Sequence, residues 1–316
     1  MSINKIQFQK GMSFEGFYKT YGTVEQCEEA LVQSRWPQGY CCPRCNEKRS
    51  ALTYNGRRLW ECLGCRYQCS SIVGTIFEAT KLPLTKWFLA MFLMTQSKNS
   101  IAALELMRLV GVSYKTAWLL KHKLLEVMFQ REAPRRLSGH IELDDAYLGG
   151  EREGKSGRGS ENKVPFVAAV QTNVKNHPIA VRFDRVKAFT GEEIKRWTVD
   201  ALAPKAQVTS DGLGCFRAVT ATAESHERII TGSGRKAVKK PEFHWVNTLI
   251  GNLKTALSGT YHAFDFEKYG YRYLAEFQYR FNRRFDLQAI LPRLLRASVL
   301  TMPQPSRILR FSEVGN

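Results

Sequence analysis

The chain has 316 residues, 44% of them hydrophobic, so it is long enough for two or three domains and apolar enough to bury a core. The composition therefore excludes a chain that is disordered throughout. Lys and Arg number 47 against 29 Asp and Glu, which gives a formal net charge of +18. This excess of positive charge favours a polyanionic partner over an acidic metabolite, and nucleic acid over an anionic membrane. Alternatively, the charge only keeps the protein in solution.

Residues 1–14 lack the charged, apolar and small-residue pattern of a secretory signal, and no window holds 18 uninterrupted apolar residues. We therefore expect a soluble cytoplasmic protein. The chain contains eight Cys. Six of them cluster between positions 41 and 69, which indicates a metal site in a reducing compartment and not a set of disulfides.

Residues 1–36 have the pattern of a polar helical segment, with an amphipathic stretch from Val24 to Arg35 that ends at Pro37. Residues 37–72 are rich in Cys, Arg, Gly and aromatic residues and show little helical periodicity. A module of this size is too short to fold on its apolar core alone, so we expect a metal ion to stabilise it.

The cysteines of this module form two Cys-x-x-Cys pairs with sixteen residues between them. The four residues are Cys42, Cys45, Cys62 and Cys65. Such pairs are typical of a zinc ribbon, in which each pair lies on a tight turn and four thiolates close a tetrahedral site. We therefore predict a structural Zn²⁺. Cys41 and Cys69 are alternative ligands, but neither completes a two-residue spacing.

Two further features support a ribbon. Gly64, inside the second pair, would help its turn to reach a positive φ. Asn55-Gly56 predicts a hairpin turn between strand-like flanks.

Basic residues around the cysteines would allow the module to contact phosphates. They are Arg44, Lys48, Arg49, Arg57, Arg58 and Arg66.

Residues 73–133 switch to helical spacing, with apolar side chains at intervals of three and four residues. Gly111 as a helix stop and Ser113 as an N-cap predict a helix-turn-helix, whose second helix enters the major groove of DNA. The same geometry also packs two helices without reading DNA. Polar residues expected on or near the second helix are Lys115, Thr116, Lys121, His122 and Lys123.

After a break at residues 134–139, strand-like runs alternate with helical stretches, which predicts an α/β domain with a mixed sheet. The strand-like runs are 140–148, 164–172, 179–183 and 206–210. The helical stretches are 190–202, 213–222, 244–257 and 266–284. The charged, glycine-rich segment 149–162 predicts a loop.

Carboxylates interrupt this apolar strand pattern at two places. Glu142, Asp144 and Asp145 lie in the first run, and Asp211 follows the fourth. Because an unpaired carboxylate is costly to bury, acidic residues at such positions usually have a cation or a metal partner. Two strand-borne aspartates suit Mg²⁺, and two ions about 4 Å apart promote in-line displacement at phosphorus. Alternatively, Asp211-Gly212 is only a turn and Asp145 only a surface acid.

The helix that begins near His244 adds a candidate neutral ligand. Asn247 and Lys254 are seven residues apart and lie on one helix face, so an amide oxygen and a phosphate-contacting cation can face one substrate. Asn252 is a competing amide. An ordinary helix with surface amides is the simplest alternative.

Seven stretches carry a resemblance to a known family. They are WPQGYCCPRC, GTIFEATKLPLTKWF, GVSYKTAW, IELDDAYLGG, VTSDGLGCF, VNTLIGNLKTALSGTYH and YLAEFQYRFNRRFD. Together they resemble a bacterial insertion-sequence transposase that joins an N-terminal zinc ribbon to a DDE-type catalytic domain with an RNase H-like fold. The resemblance covers roughly residues 36–286, and the combination is more specific than any single motif.

The resemblance implies an α/β fold, with a mixed five-stranded sheet flanked by helices. It implies that Asp144 on the first strand and Asp211 after the fourth are catalytic and, with Asn247, bind Mg²⁺ or Mn²⁺. Asp145 is expected to support the site without binding the metal. Aligning the family's lysine with Lys254 places Asn247 where glutamate is usual, as in a subgroup with Asn as the third residue. One negative charge fewer should weaken metal affinity.

The implied reaction is hydrolysis at the ends of an insertion sequence, followed by attack of the freed 3′-OH groups on target DNA. The implied partners are the terminal inverted repeats and the target DNA, with no membrane. Because two ends must be held together, we expect a homodimer or larger assembly on DNA, associated with the nucleoid. There are two alternatives. One is a nuclease of the same fold that does not join strands, and the other is an impaired transposase that only binds DNA.

The expected domains follow from these motifs. They are an N-terminal helical segment at 1–36, the zinc ribbon at 37–72, a helix-turn-helix region at 73–133, the RNase H-like catalytic domain at 138–290 and a C-terminal tail at 291–316.

Overall fold

The computed structural model describes residues 9–54, 58–97, 99–149, 163–230, 240–261 and 264–311. Contacts divide the chain into two compact units, with one boundary between Val127 and Met128 and another between Arg283 and Arg284. The predicted Asn55-Gly56 turn lies outside the described residues, as does the predicted loop at 149–162 apart from Gly149. No helix among the described residues is long and apolar enough to cross a membrane.

Helices and one small sheet form the described part of the first unit. The helices are α1 (Phe14–Tyr21), α2 (Val24–Arg35), α3 (Leu84–Gln96), α4 (Ala103–Val110), α5 (Tyr114–Glu132), which ends in the second unit, α9 (Ile290–Leu300) and α10 (Ser306–Phe311). The sheet is antiparallel, and its strands in spatial order are β1 (Ser50–Tyr54), β2 (Arg58–Cys62) and β3 (Gln68–Cys69). Thr23 and Gln26 form a capping box that begins α2.

The C-terminal region differs from the expected tail. Leu291, Leu294 and Leu295 recur at helical spacing and are buried, and α9 packs against α2 and α3. Residues 290–300 therefore form a core helix of the first unit, because burying this apolar face stabilises them as a helix.

The predicted helix, turn and helix are present at α4 and α5. Gly111 adopts a left-handed φ of 67°, and the Ser113 hydroxyl accepts a 3.3 Å hydrogen bond from the Thr116 amide. The expectation that Lys121 and His122 lie on a groove-reading surface is wrong, since each is only 1% exposed. The Lys121 ammonium donates to the Ile101 carbonyl at 2.6 Å, so it stabilises the helix packing.

The second unit is built around a mixed five-stranded sheet, which confirms the predicted fold class. Its strands are β4 (Leu137–Leu148), β5 (Val164–Thr172), β6 (Pro178–Arg185), β7 (Leu202–Ser210) and β8 (Ser225–Arg228). The spatial order is β6-β5-β4-β7-β8. Strand β4 pairs antiparallel with β5 and parallel with β7, while β5–β6 is antiparallel and β7–β8 parallel.

Each face of this sheet is covered by helical elements. On one face, α6 (Gly191–Ala201) and a 3₁₀ helix (Gly214–Ala221) enclose a core that includes Leu143 and Val208. On the other face, α7 (His244–Thr260) and α8 (Phe266–Phe281) enclose a core that includes Ala146. Because side chains alternate along a strand, Glu142 and Asp144 share the face of Ala146, beneath α7 and α8.

A buried ionic cluster joins α5, α8 and β6 within the second unit. The Glu132 carboxylate, 3% exposed, accepts hydrogen bonds from the Arg283 guanidinium, from Arg135 Nε at 3.2 Å and from the Asn282 amide at 2.7 Å. Asn282 also exchanges two hydrogen bonds with the backbone of Val181 on β6. The cost of burying Glu132 is therefore offset by several partners.

The short edge strand β8 holds the segment that follows β7. His226 Nε2 lies 2.8 Å from the buried Ser210 hydroxyl, and Arg228 donates to the Gly212 carbonyl at 2.9 Å. Burial lowers the pKa of His226, and the nearby positive charge of Arg228 lowers it further. The folded protein therefore favours a neutral His226.

Replacing Glu132 with Ala should leave the buried Arg283 charge without its carboxylate. We expect the free energy of unfolding of the second unit to fall by about 3–5 kcal/mol, measured by urea denaturation. Glu267→Ala is the control, since the Glu267 side chain is 79% exposed in its pair with Arg185 and should contribute less than about 1 kcal/mol. Equal losses in the two variants would contradict a specific role for the cluster.

The state of His226 predicts a loss of stability in acid. Because the pKa is lowered in the folded state, the unfolded chain takes up this proton first, near pH 6.5, and stability falls as the pH drops below that value. His226→Gln retains a hydrogen-bonding partner for Ser210 but does not titrate, so its stability should decline less between pH 7 and pH 5. Parallel pH profiles of parent and variant in urea denaturation would refute the assignment.

Candidate metal centres

The four predicted ribbon cysteines converge. Their Sγ atoms all lie within 4.8 Å of one another, with 3.7 Å between Cys42 and Cys65 and 3.5 Å between Cys45 and Cys62. A tetrahedral Zn²⁺ with bonds of about 2.3 Å needs sulfur atoms about 3.8 Å apart. The donor set and its spacing therefore fit a structural zinc ion.

The two cysteine turns have nearly the same backbone geometry. In each turn the fifth residue, Asn46 or Arg66, has a φ near +60°, and its amide donates to the carbonyl of the first cysteine at 2.9 Å. The expectation that Gly64 supplies the positive φ is wrong, because Arg66 adopts it at 59°. The residue with positive φ therefore directly follows the second cysteine of each pair.

The alternative ligands have other contacts. Cys69 is 1% exposed and lies 3.9 Å from the Tyr40 hydroxyl, and the Cys41 thiol lies 3.8 Å from the Asn46 carbonyl. Neither belongs to the converging group among the described residues. Burial raises the pKa of Cys69, which disfavours the thiolate that a metal requires.

Three carboxylates converge where β7 ends beside β4. Leu143 on β4 pairs with Ser210, the last residue of β7, so Asp211 lies just beyond the end of β7, beside Asp144 and Asp145 within β4. Asp144, Asp145 and Asp211 each offer an oxygen there, and these atoms all lie within 4.8 Å of one another. Oxygen donors at this spacing fit Mg²⁺ or Mn²⁺. Asp145, predicted only to support the site, is as close as the two predicted ligands.

Backbone hydrogen bonds hold the two principal aspartates. Asp144 Oδ1 accepts from the Asp145 amide at 2.8 Å, and Asp211 Oδ1 accepts from the Leu213 amide at 3.0 Å. All three aspartates are half-buried. One oxygen atom of Asp144 and one of Asp211 are therefore oriented by backbone amides.

Glu142 joins the strand that carries Asp144 to helix α7. Its carboxylate is 1% exposed, and Oε2 accepts hydrogen bonds from the backbone amides of Trp245 and Val246, each at 2.8 Å. The N-cap residue of α7, Phe243, provides no side-chain hydrogen bond. Glu142 therefore satisfies two amides at the start of α7 from outside the helix.

The environment of Glu142 has opposing effects on its charge. Burial raises the pKa of Glu142 to about 7, although the two amide hydrogen bonds favour the ionised form. In the sequence, Glu142 stands between the apolar residues Ile141 and Leu143, and the structure buries both of them. That pattern signals a buried carboxylate with a partner, but it does not show that the partner is a helix start about a hundred residues away.

Among the predicted residues of α7, Asn247 and Lys254 lie on one flank of the helix and Asn252 lies on another. Asn247 directly follows the anchored Val246 and is half-buried, while Lys254 and Asn252 are exposed. At 100° per residue, Asn247 and Lys254 project within about 20° of each other, whereas Asn252 projects about 140° from Asn247. The two asparagines therefore cannot face the same site.

Comparisons with known proteins agree with both centres. A family model described as an ISXO2-like transposase domain matches residues 136–282, and one described as a transposase zinc-ribbon domain matches residues 22–68. The chain is 30% identical over 240 residues to an uncharacterized protein in transposable element ISH50 of Halobacterium salinarum, an alignment that covers 68% of this chain and 77% of that protein. The chain therefore belongs to the family of ISXO2-like, DDE-type transposases that carry an N-terminal zinc ribbon.

Proposed function

We propose that the protein cleaves DNA at the ends of an insertion sequence and transfers the freed 3′-OH ends into target DNA. The proposal rests on the convergence of Asp144, Asp145 and Asp211 where β7 ends beside β4, in a domain of the transposase family. Both steps are displacements at phosphorus, and one site can perform both. Water is the nucleophile in the first step, and the 3′-OH is the nucleophile in the second.

Asp144 and Asp211 are the residues that would hold Mg²⁺ or Mn²⁺. Bound there, one or two such ions would supply the positive charge that activates the attacking oxygen and stabilises the leaving oxygen. Without a cation, three carboxylates within 4.8 Å would repel a phosphodiester, so the site suits a metal-dependent reaction. The backbone hydrogen bonds to Asp144 and Asp211 keep their oxygens oriented.

Asn247 and Lys254 complete the proposed site from α7. The Asn247 amide oxygen is a neutral ligand, and the exposed Lys254 ammonium contacts a DNA phosphate. The neutral Asn247 favours the alternative of an impaired transposase that only binds DNA. The position of Asp145 counts against that alternative, because its carboxylate supplies a negative charge that Asn247 lacks.

We assign DNA recognition to the first unit. The overall charge of +18 would add a general attraction to the DNA phosphates. Tyr114 and Lys115 are exposed at the start of α5, where a helix-turn-helix protein contacts DNA, and Arg44 and Lys48 are exposed on the ribbon. We propose that these groups bind the terminal inverted repeats and that two copies of the chain hold the two ends together.

The carboxylate site predicts the outcome of a cleavage assay. Asp144→Ala and Asp211→Ala should each reduce Mg²⁺-dependent nicking of end-containing DNA by about 10²–10³-fold, equivalent to about 3–4 kcal/mol of barrier. Asp200→Ala, which changes an exposed acid of the same unit, should retain the parent rate. Cleavage by Asp144→Ala at the parent rate would disprove the assignment.

A strand-transfer assay separates the proposed function from a simple nuclease. With pre-cleaved ends and a target plasmid, the parent protein should give joined products, and a nuclease should give none. Joining should be lost together with cleavage in Asp144→Ala, since one site serves both steps.

The ribbon predicts the metal content of the purified protein. We expect one zinc per chain by elemental analysis, because four thiolates satisfy a tetrahedral ion. Cys62→Ser should lose most of this zinc and destabilise the ribbon, which is too small to fold on its core alone. Cys41→Ser is the matched control and should keep its zinc. Loss of zinc from Cys41→Ser, with retention in Cys62→Ser, would reverse the ligand assignment.

A further inference from the structure

The start of helix α7 is attached to the metal-binding strand by one side chain. Glu142 lies two residues before Asp144 on β4 and on the same face of the sheet. Its Oε2 atom accepts the amides of Trp245 and Val246, the second and third residues of α7. Asn247 is the next residue along that helix.

Helix packing alone does not fix this attachment. The buried face of α7 consists of apolar side chains, which pack against the sheet without directional bonds. The hydrogen bonds to Glu142 are directional, and a carboxylate at a helix N-terminus is favoured by the helix dipole. A shift of α7 along its axis would break both bonds and leave buried polar groups unpaired, so Glu142 opposes such a shift.

We propose that Glu142 is a positioning residue, which holds α7 so that Asn247 reaches the ion bound by Asp144 and Asp211. This inference rests on the proposed function. Glu142 is not one of the carboxylates that converge with Asp144 and Asp211, and its Oε2 atom accepts the two amides of the helix start. Replacing the usual acidic third ligand with a neutral amide makes accurate placement more important, because a weak ligand contributes only at the correct distance.

The test is a double-mutant cycle on Mn²⁺ affinity, measured by electron paramagnetic resonance titration of the full chain. Glu142→Met keeps the side-chain volume and removes the acceptor, and Asn247→Ala removes the ligand. Each should weaken Mn²⁺ binding about tenfold or more, and the double variant should be no weaker than the worse single variant. Glu142→Gln, whose amide oxygen still accepts the helix amides, should bind Mn²⁺ nearly as the parent does.

Two controls separate positioning from general destabilisation. Val208→Ala removes core volume on the opposite face of the sheet, so it should lower the melting temperature and leave the Mn²⁺ dissociation constant unchanged. Asn252→Ala changes the exposed amide on the other flank of α7 and should leave the constant at the parent value, alone and in combination with Glu142→Met. If Glu142→Met does not fold, Glu142→Ala takes its place in the cycle, and losses that add to those of Asn247→Ala would overturn the inference.

The outcomes distinguish this inference from the proposed function. Additive losses in Glu142→Met and Asn247→Ala, or Mn²⁺ binding unaffected by either, would overturn the role of Glu142. Such a result would not affect the proposed function if Asp144→Ala still abolishes cleavage. Conversely, parent-like cleavage by Asp144→Ala would overturn the proposed function, whatever the cycle shows.

Discussion

The parallel pairing of β4 with β7 brings together the three carboxylates of the candidate metal site. Two aspartates that are far apart in sequence meet because Leu143 pairs with Ser210, and the residue that follows each of them is an aspartate, at the point where β7 ends beside β4. A slip of one residue would send one carboxylate to the opposite face of the sheet. The register is set by buried apolar side chains on both faces, so the two cores of the second unit also determine where these carboxylates meet.

Buried polar groups add directional bonds to this apolar framework. Glu142 attaches α7 to β4, His226 and Arg228 hold the segment around Asp211, and the Glu132 cluster joins α5 to α8 and β6. Each group would be costly to bury alone, and each has partners that offset the cost. Two of these contacts lie beside the carboxylates, which indicates that they maintain the geometry of the site as well as the stability of the fold. This link between stability and geometry is the reason why we propose a positioning role for Glu142.

Much of the fold followed from local sequence patterns. The cysteine spacing, the Gly111 turn and the runs around β4, β5 and β7 predicted elements that the structure contains. Strand β8 had no such pattern, because its four residues are polar and it is an edge strand whose partners are remote in sequence. The burial of Lys121 and the capping of α7 by Glu142 also depend on long-range contacts, which periodicity does not encode. The convergence of Asp145 with the other aspartates depends on the geometry of the strand end, so its proximity required the structure.

The central claim is that Asp144 and Asp211 together bind a divalent ion that engages DNA. The most direct measurement is anomalous diffraction from crystals of the full chain grown with Mn²⁺ and an end-containing DNA. The account predicts a peak between the Asp144 and Asp211 carboxylates, beside a phosphodiester. A fully occupied Mn²⁺ peak elsewhere, with no density between these two side chains, would contradict it.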